Sequence, residues 1–161
     1  MSLYHKKIKS PVGELLLIAS DKGLAGIHWI HSEEQYPSLE SSDNSILIKT
    51  EKQLKEYFEK KRRVFDIELD FAGTEFQIQV WQALLTIPFG ETRTYGQIAK
   101  QIGNPGSVRA VGGAANKNPI PVIAPCHRVI GADGKLVGFG GGLENKVYLL
   151  ALENIKSPTL W

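Results

Sequence analysis

The sequence predicts an α+β protein. A small N-terminal mixed α/β domain with an antiparallel sheet spans residues 1–73, and a mainly helical, winged helix-turn-helix-like C-terminal domain spans 74–161. Three observations predict it. The first thirty residues are strand-length segments joined by turn chemistry, helix capping boxes recur beyond Gly73, and 12 of the 16 glycines lie beyond Ile78. A chain of 161 residues, 42% hydrophobic and 22% charged, buries a core without disulfide or metal staples. Its single cysteine excludes an internal disulfide and any zinc site built on a Cys pair, which leaves a reducing compartment and a thiol that is either functional or simply buried.

Segments 4–9, 14–20 and 24–30 read as a β-meander, with Ser10-Pro11-Val12-Gly13 and Asp21-Lys22-Gly23 as its turns. Residues 31–44 are polar and loop-like. Over 46–61, Leu47, Leu54, Tyr57 and Phe58 recur near helical spacing among Lys and Glu, which describes an amphipathic surface helix. Phe65, Ile67, Leu69 and Phe71 then alternate with polar neighbours, the pattern of a strand with one buried face. Lys60-Lys61-Arg62-Arg63 fits a solvated helix end better than a nuclear address.

Beyond Gly73 the period becomes helical. Thr74-Glu75-Phe76-Gln77 has capping-box form, and Phe76, Val80, Trp81 and Leu84 follow until Pro88-Phe89-Gly90 stops the run. A second box, Thr94-Tyr95-Gly96-Gln97, opens a short helix that Gly103 closes; Asn104-Pro105-Gly106 turns the chain, and Ser107 caps a third helix over 108–117. Two short helices across a Gly/Pro turn make a helix-turn-helix, although an ordinary helical hairpin in a core has the same spacing. Gly112-Gly113 inside the third helix cost about 2 kcal/mol relative to alanine, so something must gain by approaching closely there. Arg109 projects from this small-residue helix as a wedge or phosphate contact would; a tightly packed helix with Arg109 at its rim fits equally well. Val129-Ile130 and Leu136-Val137 flank Asp133-Gly134 as a hairpin, the form of a wing, and the glycine-rich stretch 138–142 presents Phe139.

Net charge is +2, divided as −2 up to Ile78 and +4 from Gln79 onward, so the C-terminal half is the better candidate for a polyanion. No stretch approaches the ~18 apolar residues of a membrane span, and Met1 to Ser10 hold three lysines and no apolar run. No membrane partner and no secretion signal are expected, and a cytoplasmic location is expected with them.

The reactive constellation is Pro125-Cys126-His127-Arg128-Val129, with the lone thiol between a proline-rigidified apolar segment and a His-Arg pair. An adjacent imidazole or guanidinium lowers a thiol pKa, although a lone Cys in an apolar stretch is also a common buried hydrophobe. In the last helix, from 143 to about 154, Leu143, Val147 and Leu150 mark an apolar stripe, and Glu153 falls on it. A carboxylate facing a core needs a partner, and His127 is the obvious one, with a solvent-reaching helix end as the alternative. Cys126, His127 and Glu153 then form a nucleophile, a base and an orienter.

This signature resembles that of the O6-alkylguanine-DNA alkyltransferases, which take an alkyl group from guanine onto cysteine. The likeness extends in order and spacing through Phe76-Gln77, Val80-Trp81, Ile87-Pro88, Thr94-Tyr95-Gly96, Gly103-Asn104-Pro105, the run 109–114, Asn118-Pro119 and Gly141-Gly142-Leu143, covering about residues 74–155, while the N-terminal half fits loosely. The resemblance implies Cys126 as alkyl acceptor, His127 as base acting through a water, and Glu153 as the carboxylate that orients it. It implies that Tyr95 swings the damaged nucleotide out, Arg109 fills the vacated stack, Asn118 braces the turn before the active-site loop, and Val129 offers backbone atoms to the base. Gly112 and Gly113 let the helix lie close in the minor groove. Thr94, Arg128 and Phe139 complete the residues implied to meet substrate or DNA.

The implied partner is duplex DNA containing O6-alkylguanine, met by a monomer without a cofactor and without a metal; O4-alkylthymine repair and cooperative binding stay open. Phe139, Gly140, Ala132 and Asn116 depart from residues common in the family, which bears on contacts to the base and on affinity. Two competing readings are a lesion-binding protein without transfer, which the presence of Cys126 disfavours, and a cysteine hydrolase with multiple turnover.

Overall fold

The computed structural model describes residues 3–30, 44–132 and 142–155. It divides into two compact units, Met1–Ala72 and Gly73–Trp161.

In the first unit, β1 (Leu3–Ser10), β2 (Gly13–Ser20) and β3 (Leu24–Trp29) form an antiparallel sheet in that order. The pairing of Ser10 with Gly13 leaves Pro11 and Val12 as a two-residue turn; Ser10 Oγ accepts from the Val12 amide at 3.2 Å, and Gly13 takes φ 109°. Helix α1 (Ser45–Phe58) starts where Asn44 Oδ1 accepts from the Ile46 and Leu47 amides, and it packs on the sheet through Leu47, Leu54 and Tyr57. It ends three residues before the expected limit because Lys60 turns left-handed, with φ 63°. The expected strand over Phe65–Phe71 is a correction. Exposure alternates only from Phe65 to Leu69, with no fully buried face, and the chain pairs at a single parallel bridge, Leu24 with Leu69. There the backbones come so close that a Cβ on Gly23 would sit 2.6 Å from the Glu68 carbonyl oxygen. Most of the polar loop expected over 31–44 lies outside the described residues.

In the second unit, α2 (Glu75–Leu84) and α3 (Tyr95–Gln101) both open with complete capping boxes, on Thr74 with Gln77 and on Thr94 with Gln97. Gly103, at φ 80°, follows the end of α3, and α4 (Val108–Asn116) packs against both helices. Trp81 Nε1 donates to the Ala114 carbonyl at 2.8 Å, which ties α2 to α4. Ser107 stands at the start of α4 without capping it; its hydroxyl donates instead to the Asn104 carbonyl at 2.6 Å. Two-residue strands β4 (Arg93–Thr94) and β5 (Val129–Ile130) pair in parallel, with a single 3₁₀ turn over Cys126–Arg128 just before β5. Helix α5 (Leu143–Leu152) completes the unit. The second arm of the expected wing hairpin lies outside the described residues, as do Phe139 and Gly140.

Candidate active site around Cys126

The approach to Cys126 is a chain of local turns. Asn118 Oδ1 accepts from the Ile120 amide at 3.0 Å, closing an Asx turn, and Asn118 Nδ2 donates to the Ala124 carbonyl at 2.7 Å. The 3₁₀ turn then carries Cys126, His127 and Arg128, all buried.

His127 and Glu153 are brought together. His127 Nε2–H donates to Glu153 Oε2 across 2.7 Å, with both side chains fully buried, while His127 Nδ1 is buried without a partner among the described residues. That assigns the proton of the neutral ring to Nε2 and leaves Nδ1 as a free acceptor. Glu153 caps the end of α5 and also receives Arg128 Nε at 2.7 Å, Arg128 Nη2 at 3.1 Å and the Gly90 amide at 3.2 Å.

Arg128 is a correction. Expected on substrate or DNA, it is turned inward: besides the two bonds to Glu153, its Nη1 donates to the Ile87 carbonyl at 2.6 Å, and its guanidinium lies 5.9 Å from the Phe89 ring centre. A buried carboxylate requires a fixed counter-charge, and Arg128 supplies it.

The charge states follow from burial. Desolvation pushes the Cys126 thiol up, against the opposing pull of the Asn118 amide, the Lys146 charge and nearby backbone amides. Desolvation also lowers His127, so its ring is neutral near pH 7. Burial alone would raise Glu153, but hydrogen bonds and charge from His127 and Arg128 outweigh it and hold the carboxyl at about 2.

Lys146 escapes the sequence reading. It is fully buried, donates from Nζ to the Val129 carbonyl at 2.8 Å, and is lowered by burial to about 8 with the Cys126 charge opposing. The buried stripe of α5 includes Lys146, Leu149, Leu150 and the capping Glu153, whereas Leu143 is 49% exposed and Val147 only half-buried. The correct spacing of i, i+3, i+4 and i+7 was hidden because its first member is charged.

Val129 was expected to offer backbone atoms to a base. Its amide instead donates to the Cys126 carbonyl, and its own carbonyl accepts from Lys146, leaving one lone pair of that oxygen. Tyr95 opens α3 half-buried, with its hydroxyl pushed up by burial and by the neighbouring Cys126. Thr94 is occupied in its cap, accepting from the Gln97 amide at 3.1 Å.

On α4, Arg109, Ala110, Gly113 and Asn116 face outward, while Val111, Ala114 and Ala115 are buried. Among the described residues no segment approaches the glycine pair closely. A Cβ on Gly113 would meet nothing within 4 Å, and one on Gly112 only the Tyr95 ring at 3.9 Å. Among the described residues the glycines therefore leave open space on their own face, while α4 packs on α2 and α3 through Val111, Ala114 and Ala115. Among the described residues no three His, Cys, Asp or Glu side chains gather as a metal site, and no helix is long and apolar enough to cross a membrane.

Residues 75–155 match the family model of the 6-O-methylguanine DNA methyltransferase DNA binding domain, and residues 3–71 that of its ribonuclease-like domain. This chain belongs to the 6-O-methylguanine DNA methyltransferases. It is 48% identical to a methylated-DNA--protein-cysteine methyltransferase of Mycobacterium leprae, over 94% of this chain and 92% of that one. A methylated-DNA--protein-cysteine methyltransferase of Methanosarcina acetivorans is 46% identical, over 94% and 98% respectively. Among solved structures, Mycobacterium tuberculosis OGT in complex with DNA superimposes with a TM-score of 0.84 at 47% identity, covering 94% of this chain and 93% of that one. The family model extends the likeness into the N-terminal half, where the sequence motifs alone fit loosely.

Proposed function

We propose that this protein repairs DNA by direct reversal, taking the methyl group of O6-methylguanine in duplex DNA onto Cys126, once per molecule and without a cofactor. The observation that carries the reading is the chain's one thiol, followed directly by a buried histidine whose Nε2 is held by the ionised Glu153 and whose Nδ1 is free to accept a proton.

Burial keeps the thiol protonated at rest. On reaction it gives its proton to His127 Nδ1, directly or through one water, and the Glu153 charge stabilises the imidazolium that forms. Lys146 adds positive potential as the thiolate develops. Sγ then bonds to the methyl carbon as the carbon–O6 bond breaks; the electron pair leaves with guanine, which takes up one proton and returns to its keto form. The product is a thioether, which no group here reverses, so each molecule reacts once.

The target base must leave the stack first, and an O-alkylated guanine pairs poorly, so extruding it costs less than extruding an intact base. We assign DNA binding and alkyl acceptance to the C-terminal unit. Tyr95 turns the nucleotide out, Arg109 enters the gap, and the open face of α4 at Gly112 and Gly113 lies in the minor groove. Thr94 sits at the DNA-facing start of α3, and the free lone pair of the Val129 carbonyl reaches the base. The protein acts as a monomer on chromosomal DNA in the cytoplasm.

Single-turnover assays on a duplex carrying one O6-methylguanine test this. Cys126→Ala is expected to abolish transfer while leaving duplex binding unchanged. Loss of binding with the fold retained would make the thiol structural, and repeated turnover of an ester by the wild type would make the protein a hydrolase.

A further inference from the structure

Val122 lies four residues before Cys126 with φ 72°. Among the described residues the other non-glycine positions with positive φ are Lys60 and Asn154, which follow helix ends; Val122 alone is β-branched. A branched side chain in this region crowds its own backbone, and such a conformation persists only where the surroundings over-determine it. Here they do. The Val122 side chain is fully buried, and the reversal at this residue returns the Ala124 amide to the Ile120 carbonyl at 2.9 Å.

The consequence reaches the thiol. The Ala124 carbonyl accepts from Asn118 Nδ2 and also from the Cys126 amide at 2.8 Å, the latter closing an inverse γ-turn at Pro125 with φ −80° and ψ 66°. One carbonyl, set two residues after the left-handed position, thus fixes both the amide beside the thiol and the backbone that bears it.

We propose that Val122 is a positioning residue for alkyl transfer: its buried isopropyl group locks a left-handed backbone that aims the Ala124 carbonyl and, through it, Cys126. An extended or right-handed residue 122 breaks the Ala124–Ile120 bond and turns that carbonyl away. The inference rests on Cys126 being the acceptor, which mass analysis of the wild type reads separately and first.

Val122→Ala loses the lock but still resists the left-handed region, whereas Val122→Gly loses the lock and enters that region freely. Ile123→Ala is the control, because Ile123 is also buried but lies outside the positive-φ set. With saturating O6-methylguanine duplex, Val122→Ala is expected to slow transfer by about tenfold or more, Val122→Gly to stay within about threefold, and Ile123→Ala to keep the wild-type rate. A role in packing alone predicts the reverse order, since alanine retains more contact than glycine. Val122→Gly as slow as Val122→Ala, or Ile123→Ala as slow as either, overturns the proposal. If Val122→Ala does not fold, Val122→Ser, which likewise lacks the isopropyl group and resists the left-handed region, takes its place with the same expected loss of about tenfold, and a rate near wild type for that variant overturns the proposal.

Discussion

Glu153 is where charge, proton transfer and stability meet. It is buried against His127, Arg128 and the Gly90 amide, so Glu153→Gln leaves the Arg128 guanidinium without its counter-charge inside the protein. Breaking a buried pair from one side costs about 3–5 kcal/mol, and urea unfolding of that variant is expected to show a loss of this size. The acid limb of stability follows from the same residue. Its folded pKa is about 2 against 4.5 for the solvent-exposed carboxyl of the unfolded chain, so the stabilisation is complete above pH 4.5 and disappears as pH falls toward 2. His127 is lowered as well, so below pH 6.5 the unfolded chain takes up a proton that the folded chain resists. The urea midpoint should therefore begin to fall near pH 6.5 and fall more steeply below 4.5, and Glu153→Gln should lose the lower limb. Cys126 with an elevated pKa further predicts that the rate of transfer rises with pH above 7, read by single-turnover kinetics across buffers.

At the level of elements, two glycines make opposite predictions. Gly113 is exposed with open space around its Cβ direction, so Gly113→Ala should stabilise α4 by about 1 kcal/mol while weakening duplex binding, because the added methyl occupies the face proposed to meet DNA. Gly73→Ala places a methyl 2.6 Å from the buried Trp81 ring and should destabilise by about 1–3 kcal/mol. Thermal melts and gel-shift titrations check both. The same contrast explains what was legible in the sequence. The capping boxes at Thr74 and Thr94 are local, formed by residues three apart, and could be read directly; so could the meander, whose turns lie within a few residues. The single bridge at Leu69, the inward turn of Arg128 and the burial of Lys146 are decided by residues 17 to 45 positions away, and no local pattern carries them. Glu153 was legible because a carboxylate on an apolar stripe demands a partner, whereas Lys146 is not among the apolar residues Leu143, Val147 and Leu150 that mark the stripe, so nothing in the local pattern points to its burial.

For the whole molecule, the +4 balance beyond Gln79 and the exposed Arg109 predict duplex binding that is largely sequence-independent and weakens as salt is raised, because phosphate contacts release counterions. Titrations of an undamaged and a damaged duplex over a salt series should give parallel slopes. The central claim is that one protein molecule removes one alkyl group onto Cys126. Its most direct test is intact mass and peptide mapping after mixing equimolar protein with a duplex containing a single O6-methylguanine. The account predicts one added methylene mass, on the peptide containing Cys126, saturating at one per molecule; an unmodified protein that still shifts the duplex on a gel would contradict it.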